Sequence, residues 1–297
     1  MKILYIAEIV GKAGVYALKK CLPIVKEGKK PDFIIACADG ATGGNGLGRN
    51  HAGYIRKLGV QVITMGENCF FKKDLTGNID KIPYVLRPDN LNVEAPGIGA
   101  RIYNTRPPER GNQKVAVAVL LGQSGFNRIH GNNPFSPLPA LLERLRLETP
   151  FVIIDFHAQA TAEKQTFFAM ADGNCSAVIG SHTRVQTADE RLLPGGTAVI
   201  TDAGRTGSLE SVGGTDRESR IKEYLSGIPD WTKEAWEKPE FQGVFIEIDK
   251  NGKALSIERI RIQAPAAPAS ESAASGAPDE SPEDGSEETD EAGVPGD

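Results

Sequence analysis

Short runs of β-branched and other apolar residues recur along the chain, and each ends in a glycine-rich or polar loop. These runs cover 2–7, 32–37, 60–65, 115–121, 151–156, 177–179 and 198–201. Helical patterns follow two of them, at 13–21 and near 50–58. Two later runs, 244–249 and 254–262, flank Asn251-Gly252, which is a hairpin signal. Strands that alternate with helices predict an α/β architecture rather than an all-β sandwich.

Charge is distributed unevenly between residues 1–263 and the C-terminal segment 264–297. The 297 residues include 34 Lys and Arg against 39 Asp and Glu. Ten of the acidic residues lie in 264–297, which has no Lys or Arg, so residues 1–263 carry 34 basic against 29 acidic side chains. Because 264–297 also lacks aromatic residues, we expect a disordered acidic tail there after one folded domain at 1–263. Such a tail can engage a basic partner.

Composition excludes several classes of protein. The small positive surplus on residues 1–263 is too thin for a nucleic-acid groove, which clusters basic residues on one face. No apolar run reaches the roughly 18–20 residues of a membrane span, and Glu8 and Lys12 interrupt the apolar N-terminus, against a signal sequence. The four cysteines lie far apart without CxxC spacing, which is typical of reduced thiols and predicts the cytoplasm.

Side chains that can bind a metal stand near the carboxyl ends of the predicted strands, where ligands gather in open α/β sheets. They are Glu8, Asp39, Glu67, Asn68, Asp155, His157, His182 and Asp202. Carboxylate and imidazole groups that converge from several strands suit a divalent transition metal. This pattern predicts a metal site assembled by the sheet rather than by one local loop.

Six segments within residues 1–262 follow one another in a recognisable order: IAEIVG (6–11), CADGATGGNGL (37–47), MGENCFFKKD (65–74), IDFHAQATAEK (154–164), IGSHTRVQTAD (179–189) and TAVITDAGRTG (197–207). In these segments the chain resembles the bacterial cyclic-nucleotide phosphodiesterase branch of the calcineurin-like metallophosphoesterases. The resemblance implies a two-sheet α/β sandwich flanked by helices, with a di-metal centre of iron, manganese or zinc at the strand ends. It also implies a small phosphodiester or nucleotide ligand, such as a 2′,3′-cyclic nucleotide. A homo-oligomer stays open, since no interface is legible.

Several positions depart from the pattern of that branch. Glu8 stands where the family has an aspartate, and Asp39-Gly40 replaces a glutamate followed by asparagine. Asn68 stands where a histidine should protonate the leaving oxygen. An amide cannot supply a proton near pH 7, so general-acid catalysis, which is typically worth about 10²–10⁴-fold, is lost at this position.

The last histidine motif of the branch, Gly-x-His-x-His, ends in Arg184. Arginine stays protonated and has no lone pair, so Arg184 cannot bind a metal. The ligand grouping of the family implies that one ion could still be held by Asp39, Glu67, His157 and His182. The second site would keep Glu8 and Asp39 but lose its histidine, which breaks the two-metal clamp. We therefore expect one ion rather than two, or none.

Two functions follow from these substitutions. In the first, the chain is a metal-dependent phosphodiesterase with an altered centre, in which Arg184 takes over the charge of the second ion. In the second, it is a catalytically inactive module that binds a nucleotide or a protein. Arg184 can also form an ion pair with Glu8 or Glu67, and a direct pair favours the inactive alternative.

Overall fold

Two β-sheets lie face to face in the part of the chain that the structure, a computed structural model, describes: residues 1–105, 113–229 and 233–266. The first sheet has eight strands: β1 (Lys2–Ile6), β2 (Glu8–Ile9), β3 (Phe33–Cys37), β4 (Val62–Thr64), β5 (Val85–Leu86), β12 (Arg205–Ser208), β13 (Pro239–Ile248) and β14 (Ala254–Gln263). Their order is β2-β12-β13-β1-β3-β4-β5, with β14 paired to β13. Strands β1, β3, β4 and β5 are parallel, whereas β13 runs antiparallel to β1.

The second sheet has six strands: β6 (Ala100–Asn104), β7 (Lys114–Leu121), β8 (Val152–His157), β9 (Ala177–Ser181), β10 (Arg191–Leu192) and β11 (Ala198–Ile200). Their order is β10-β11-β9-β8-β7-β6. The four central strands are parallel, and the two edge strands are antiparallel to their neighbours. Parallel strands bring their carboxyl ends to one edge of this sheet.

Six α-helices and one short 3₁₀ turn (Ile79–Lys81) complete the described part of the chain. The helices are α1 (Gly11–Lys29), α2 (Arg49–Lys57), α3 (Lys73–Thr76), α4 (Leu138–Arg146), α5 (Thr161–Ala171) and α6 (Arg217–Ser226). Apolar faces of α4 and α5 cover one side of the second sheet, where Leu142 and Phe167 are buried with Ile154. The α/β sandwich flanked by helices is therefore confirmed.

Alternating side chains of each strand build the interior between the two sheets. Ile3 and Tyr5 of β1 face Val117 of β7 and Ile153 of β8, all in one buried cluster. The intervening residues of the second sheet, such as Val152 and Ile154, turn to the helices instead. This period of two follows from the pleat of a strand, which sends successive side chains to opposite faces.

The predicted elements agree with the observed ones apart from their ends. Helix α1 runs well beyond the expected 13–21, and Pro23 lies inside it. Strands β13 and β14 form the expected hairpin, in which Gly252 takes the left-handed conformation with φ 88°. No helix among the described residues is long and apolar enough to cross a membrane.

The boundary between domain and tail stays a prediction. Described residues beyond 263 still contact the body, since Ala264 donates its N–H to Pro239 and Ala266 accepts from the Tyr16 hydroxyl. Residues 267–297, which include all ten acidic side chains of the predicted tail, lie outside the described part of the chain.

Candidate metal centre

The strand ends bring the predicted site residues together. Glu8 begins β2, Asp39 follows β3, and Glu67 follows β4 in the first sheet. His157 is the last residue of β8, and His182 follows β9 in the second sheet. The site therefore lies where the two sheets present their carboxyl ends to each other.

Glu67 joins the two histidines. One carboxylate oxygen contacts Nε2 of His157, and the other lies 3.1 Å from Nδ1 of His182. One ligand atom from each of these three residues lies within 4.8 Å of the others. One oxygen and two nitrogen donors at this spacing suit a divalent ion of the zinc, manganese or iron type.

The electrostatics of this cluster are those of a carboxylate between two imidazoles. Burial alone would lower the pKa of His157, but the charges of Glu67 and Asp39 outweigh it and raise that pKa to about 10. Burial would likewise raise the pKa of Glu67, yet His157 and His182 hold it well below its usual range. A cation bound here would take the place of the shared proton, because a ligating imidazole must offer a free nitrogen.

Asp39 lies directly behind the cluster and is fully buried. Its Oδ1 accepts the N–H of Gly66 at 2.6 Å, and its Oδ2 accepts the side-chain amide of Asn68 at 2.8 Å. Oδ2 also lies 3.9 Å from Nε2 of His157. Burial, followed by the charge of Glu67, raises the pKa of Asp39 well above its usual value. Its role as a fourth ligand stays a prediction.

Asn68 turns its amide inward to Asp39 and is buried. Its backbone N–H donates to the same carboxylate at 3.1 Å. The amide is thus committed to holding Asp39, and an amide has no acidic proton near pH 7.

Arg184 forms a direct ion pair with Glu8, the first of the two partners expected from the sequence. Nη2 of Arg184 lies 2.7 Å and Nε 2.9 Å from Oε1 of Glu8. Nη1 donates to the carbonyl of Gly213 at 2.9 Å and Nη2 to that of Gly44 at 3.1 Å. The Oε2 atom of Glu8 is buried and has no hydrogen-bond partner among the described residues. The guanidinium is therefore held on three sides, by Glu8, Gly44 and Gly213.

Two glycines make room for these contacts. A Cβ on Gly40 would lie 2.8 Å from Nη2 of Arg184 and 3.0 Å from Oε1 of Glu8, so a side chain there would displace the ion pair. A Cβ on Gly66 would lie 2.2 Å from Nε2 of His157, so the chain can pass that ring only as glycine. Glycine at position 40 thus leaves the space that the side chains of Arg184 and Glu8 occupy.

The loop that carries His182 and Arg184 is strained, since both residues have positive φ, at 98° and 60°. Buried Asp202 holds the residue between them, accepting the N–H of Thr183 at 2.9 Å and its hydroxyl at 2.7 Å. Lys164, which is also fully buried, lies 3.0 Å from the same carboxylate. A strained backbone of this kind persists where its surroundings fix it, and such places cluster at functional sites.

Sequence reasoning missed two residues that contact the histidines. The ring of Phe126 lies 4.9 Å from that of His182 and 6.1 Å from that of His157, between centroids. Ser181 contacts Nδ1 of His157 at 2.8 Å. Ser181 could have been found from its place before His182 at a strand end. Phe126 lies in the loop after β7, where the sequence pattern gives no indication of which residues it will meet.

Comparison with known proteins agrees with this fold. The family profile described as YmdB-like protein matches residues 4–260. The chain is 38% identical over 263 residues to the 2′,3′-cyclic-nucleotide 2′-phosphodiesterase of Bacillus subtilis (strain 168), covering 88% of this chain and 97% of that protein. It is 34% identical over 269 residues to a putative phosphatase/phosphodiesterase of Mycoplasma pneumoniae, covering 88% and 93%.

A solved structure of a Mycoplasma pneumoniae phosphatase superposes with a TM-score of 0.80 at 32% identity, covering 89% of this chain and 94% of that one. The two sheets and the donor cluster define a protein of the metallophosphoesterase class. Within that class the chain belongs to the YmdB-like family, which confirms the resemblance seen in the sequence.

Proposed function

We propose that this protein holds one divalent ion on Glu67, His157 and His182 and binds a small phosphodiester anion beside it. The observation that carries this proposal is the division of the site: three donors converge on one side, and the Glu8–Arg184 ion pair occupies the other. Because Arg184 has no lone pair and is positively charged, it excludes a second cation from the neighbouring pocket. Iron, manganese and zinc all suit the remaining donors.

The name of the Bacillus subtilis relative, a 2′,3′-cyclic-nucleotide 2′-phosphodiesterase, supports a cyclic nucleotide or a similar phosphodiester as the ligand. A divalent ion, when bound, would polarise a phosphoryl oxygen. The charge of Arg184 would attract the anion, although its N–H groups already donate to Glu8, Gly44 and Gly213. Arg184 therefore contributes positive charge more readily than a direct hydrogen bond to phosphate.

Hydrolysis is expected to be slow. Asn68 donates its amide to Asp39 and offers no proton to a leaving oxygen. A missing general acid typically costs about 10²–10⁴-fold in rate. We therefore propose a weak phosphodiesterase, in which the chain orients the anion and the ion but protonates the leaving group poorly.

Metal analysis and turnover test this proposal together. Protein purified without chelator should carry about one equivalent of metal per chain, and with added manganese it should slowly turn over bis-p-nitrophenyl phosphate or 2′,3′-cyclic AMP. Glu67→Gln should lose both properties, whereas Glu94→Gln, at an exposed position outside the site, should keep them. Metal-free wild-type protein without turnover would contradict the proposal.

A second candidate is a binding module without catalysis, and the direct contact between Arg184 and Glu8 favours it. Calorimetry with 2′,3′-cyclic AMP, followed by analysis of the nucleotide after prolonged incubation, distinguishes the two functions. Binding that leaves the nucleotide intact supports the binding module. Release of a nucleoside monophosphate supports the phosphodiesterase.

The remaining predictions concern the cellular location, the oligomeric state and the binding partners of the protein. All four cysteines are free and buried, which supports a location in the reducing cytoplasm. A homo-oligomer and a basic partner for the acidic 264–297 segment stay proposals from the sequence. Gel filtration with light scattering, and the same measurement on a chain that ends at 266, would test them.

A further inference from the structure

The buried carboxylate of Asp155 accepts hydrogen bonds from three hydroxyl groups. Oδ2 of Asp155 accepts from the hydroxyls of Tyr5 at 2.7 Å and Thr64 at 2.5 Å. Oδ1 accepts from the hydroxyl of Ser181 at 2.7 Å. Tyr5 and Thr64 belong to the first sheet, whereas Asp155 and Ser181 belong to the second. The group is therefore a polar link between the two sheets, next to the apolar cluster that includes Tyr5.

The positions of these residues follow from strand geometry. Asp155 and His157 are two residues apart on β8, so both side chains lie on the same face of the sheet. Ser181 on β9 stands opposite His157 in the parallel register. One serine hydroxyl can therefore reach both the carboxylate and the imidazole.

The number of available hydrogens determines which group donates in each of these contacts. Each hydroxyl has one hydrogen to donate, and Ser181 donates it to Asp155. The oxygen of Ser181 then presents only lone pairs to Nδ1 of His157, which lies 2.8 Å away. Two acceptors cannot form a hydrogen bond, so Nδ1 must carry a hydrogen and donate it to Ser181.

We propose that Asp155 and Ser181 are positioning residues that fix the hydrogen of His157 on Nδ1 and so direct Nε2 toward Glu67. In the neutral imidazole this leaves Nε2 as the nitrogen with the lone pair, which is the form that a metal ion requires. The consequence for metal binding rests on the proposed function, but the placement of the hydrogen does not. Asp155 acts through Ser181 and does not itself touch the ligand position.

Nitrogen NMR of the four histidines tests the placement of the hydrogen directly. In ion-free wild-type protein, Nδ1 of His157 should be protonated and its hydrogen should exchange slowly with water. Asp155→Asn can present an amide N–H to Ser181, which would turn the serine hydrogen toward His157 and leave Nδ1 unprotonated. Ser181→Ala removes the acceptor, so the Nδ1 hydrogen should exchange rapidly.

Tyr5→Phe is the matched control, because it removes a buried hydrogen bond from Oδ2 of the same carboxylate and leaves the Ser181 contact in place. It should destabilise the fold and still keep the slowly exchanging Nδ1 hydrogen. Zn²⁺ affinity should fall by about 10–100-fold in Asp155→Asn and Ser181→Ala, and much less in Tyr5→Phe.

The inference is overturned if Ser181→Ala keeps the slowly exchanging hydrogen, or if Tyr5→Phe abolishes it as completely as the other two variants do. Should wild-type protein bind no Zn²⁺, the proposed function fails, and the nitrogen NMR still decides the inference about Asp155 and Ser181. Ser181→Ala also provides that decision if Asp155→Asn does not fold.

Discussion

Arg184 and Glu8 form an ion pair across 2.7 Å at the edge of the metal-ligand cluster, with 17% of the arginine side chain and 1% of the glutamate side chain exposed. Burial would lower the pKa of Arg184, but the charge of Glu8 raises it, so the guanidinium keeps its proton. The pair thus places a permanent positive charge near the carboxylates of Glu67 and Asp39.

Breaking this pair should be costly. Arg184→Met leaves the Glu8 carboxylate buried without its partner, and losing one member of a buried pair costs about 3–5 kcal/mol. Urea unfolding should show that loss, and Glu8→Gln in the same chain should recover part of it. Lys114→Met is the control, because Lys114 and Glu148 form an exposed pair, and exposed pairs contribute little to stability. Equal losses in the two single variants would contradict a buried pair.

Gly40 and Arg184 should be coupled energetically. Gly40→Ala places a Cβ 2.8 Å from Nη2 of Arg184, and such overpacking costs about 1–3 kcal/mol. In an Arg184→His background the cost should be smaller, with a coupling free energy of about 0.5–3 kcal/mol in a double-mutant cycle. Gly53→Ala, a helix position with open space around it, should be neutral or stabilising. Strict additivity at Gly40 and Arg184 would show that the two residues do not share this space.

The ring of Phe126 should shift the NMR signals of the two histidines that it contacts. Because its ring lies near those of His157 and His182, Phe126→Leu should shift the imidazole C–H signals of these two through the lost ring current. The signals of His51 and His130 should stay in place. Phe71→Leu, at a half-exposed ring that faces Arg128, is the matched control and should leave all four signals largely unchanged. If the imidazole signals of His182 do not shift in Phe126→Leu, the observed ring contact is contradicted.

Lys164 should stabilise the strained loop through Asp202. Lys164→Met leaves a buried carboxylate unpaired, which costs about 3–5 kcal/mol in unfolding experiments. Because Asp202 also holds Thr183, hydrogen exchange of the Thr183 amide should accelerate more than that of strand amides in β8. Asp202→Asn in the same chain should restore part of the stability. Uniform acceleration throughout the domain would instead indicate only a general loss of stability.

Much of the fold and part of the site could be predicted from the sequence. The period of two and the glycine-rich loops indicate the strands, and parallel strands bring Asp39 and Glu67 to one edge of the first sheet and His157 to an edge of the second. The partner of Arg184 could not be chosen between Glu8 and Glu67, because it depends on space that Gly40 leaves open in the folded chain. The inward turn of Asn68 and the contact of Tyr5 with Asp155 also depend on how the two sheets are placed against each other, which no local pattern specifies.

Ion stoichiometry tests the central claim most directly. Native mass spectrometry with Mn²⁺ or Zn²⁺ should find one ion per chain in wild-type protein, because the proposed second site holds Arg184, which is positively charged and has no lone pair for an ion. Gly40→Asn combined with Arg184→His removes the guanidinium and adds two ligand side chains, so this variant should bind two ions. Two ions in wild-type protein, or none in either protein, would contradict the account.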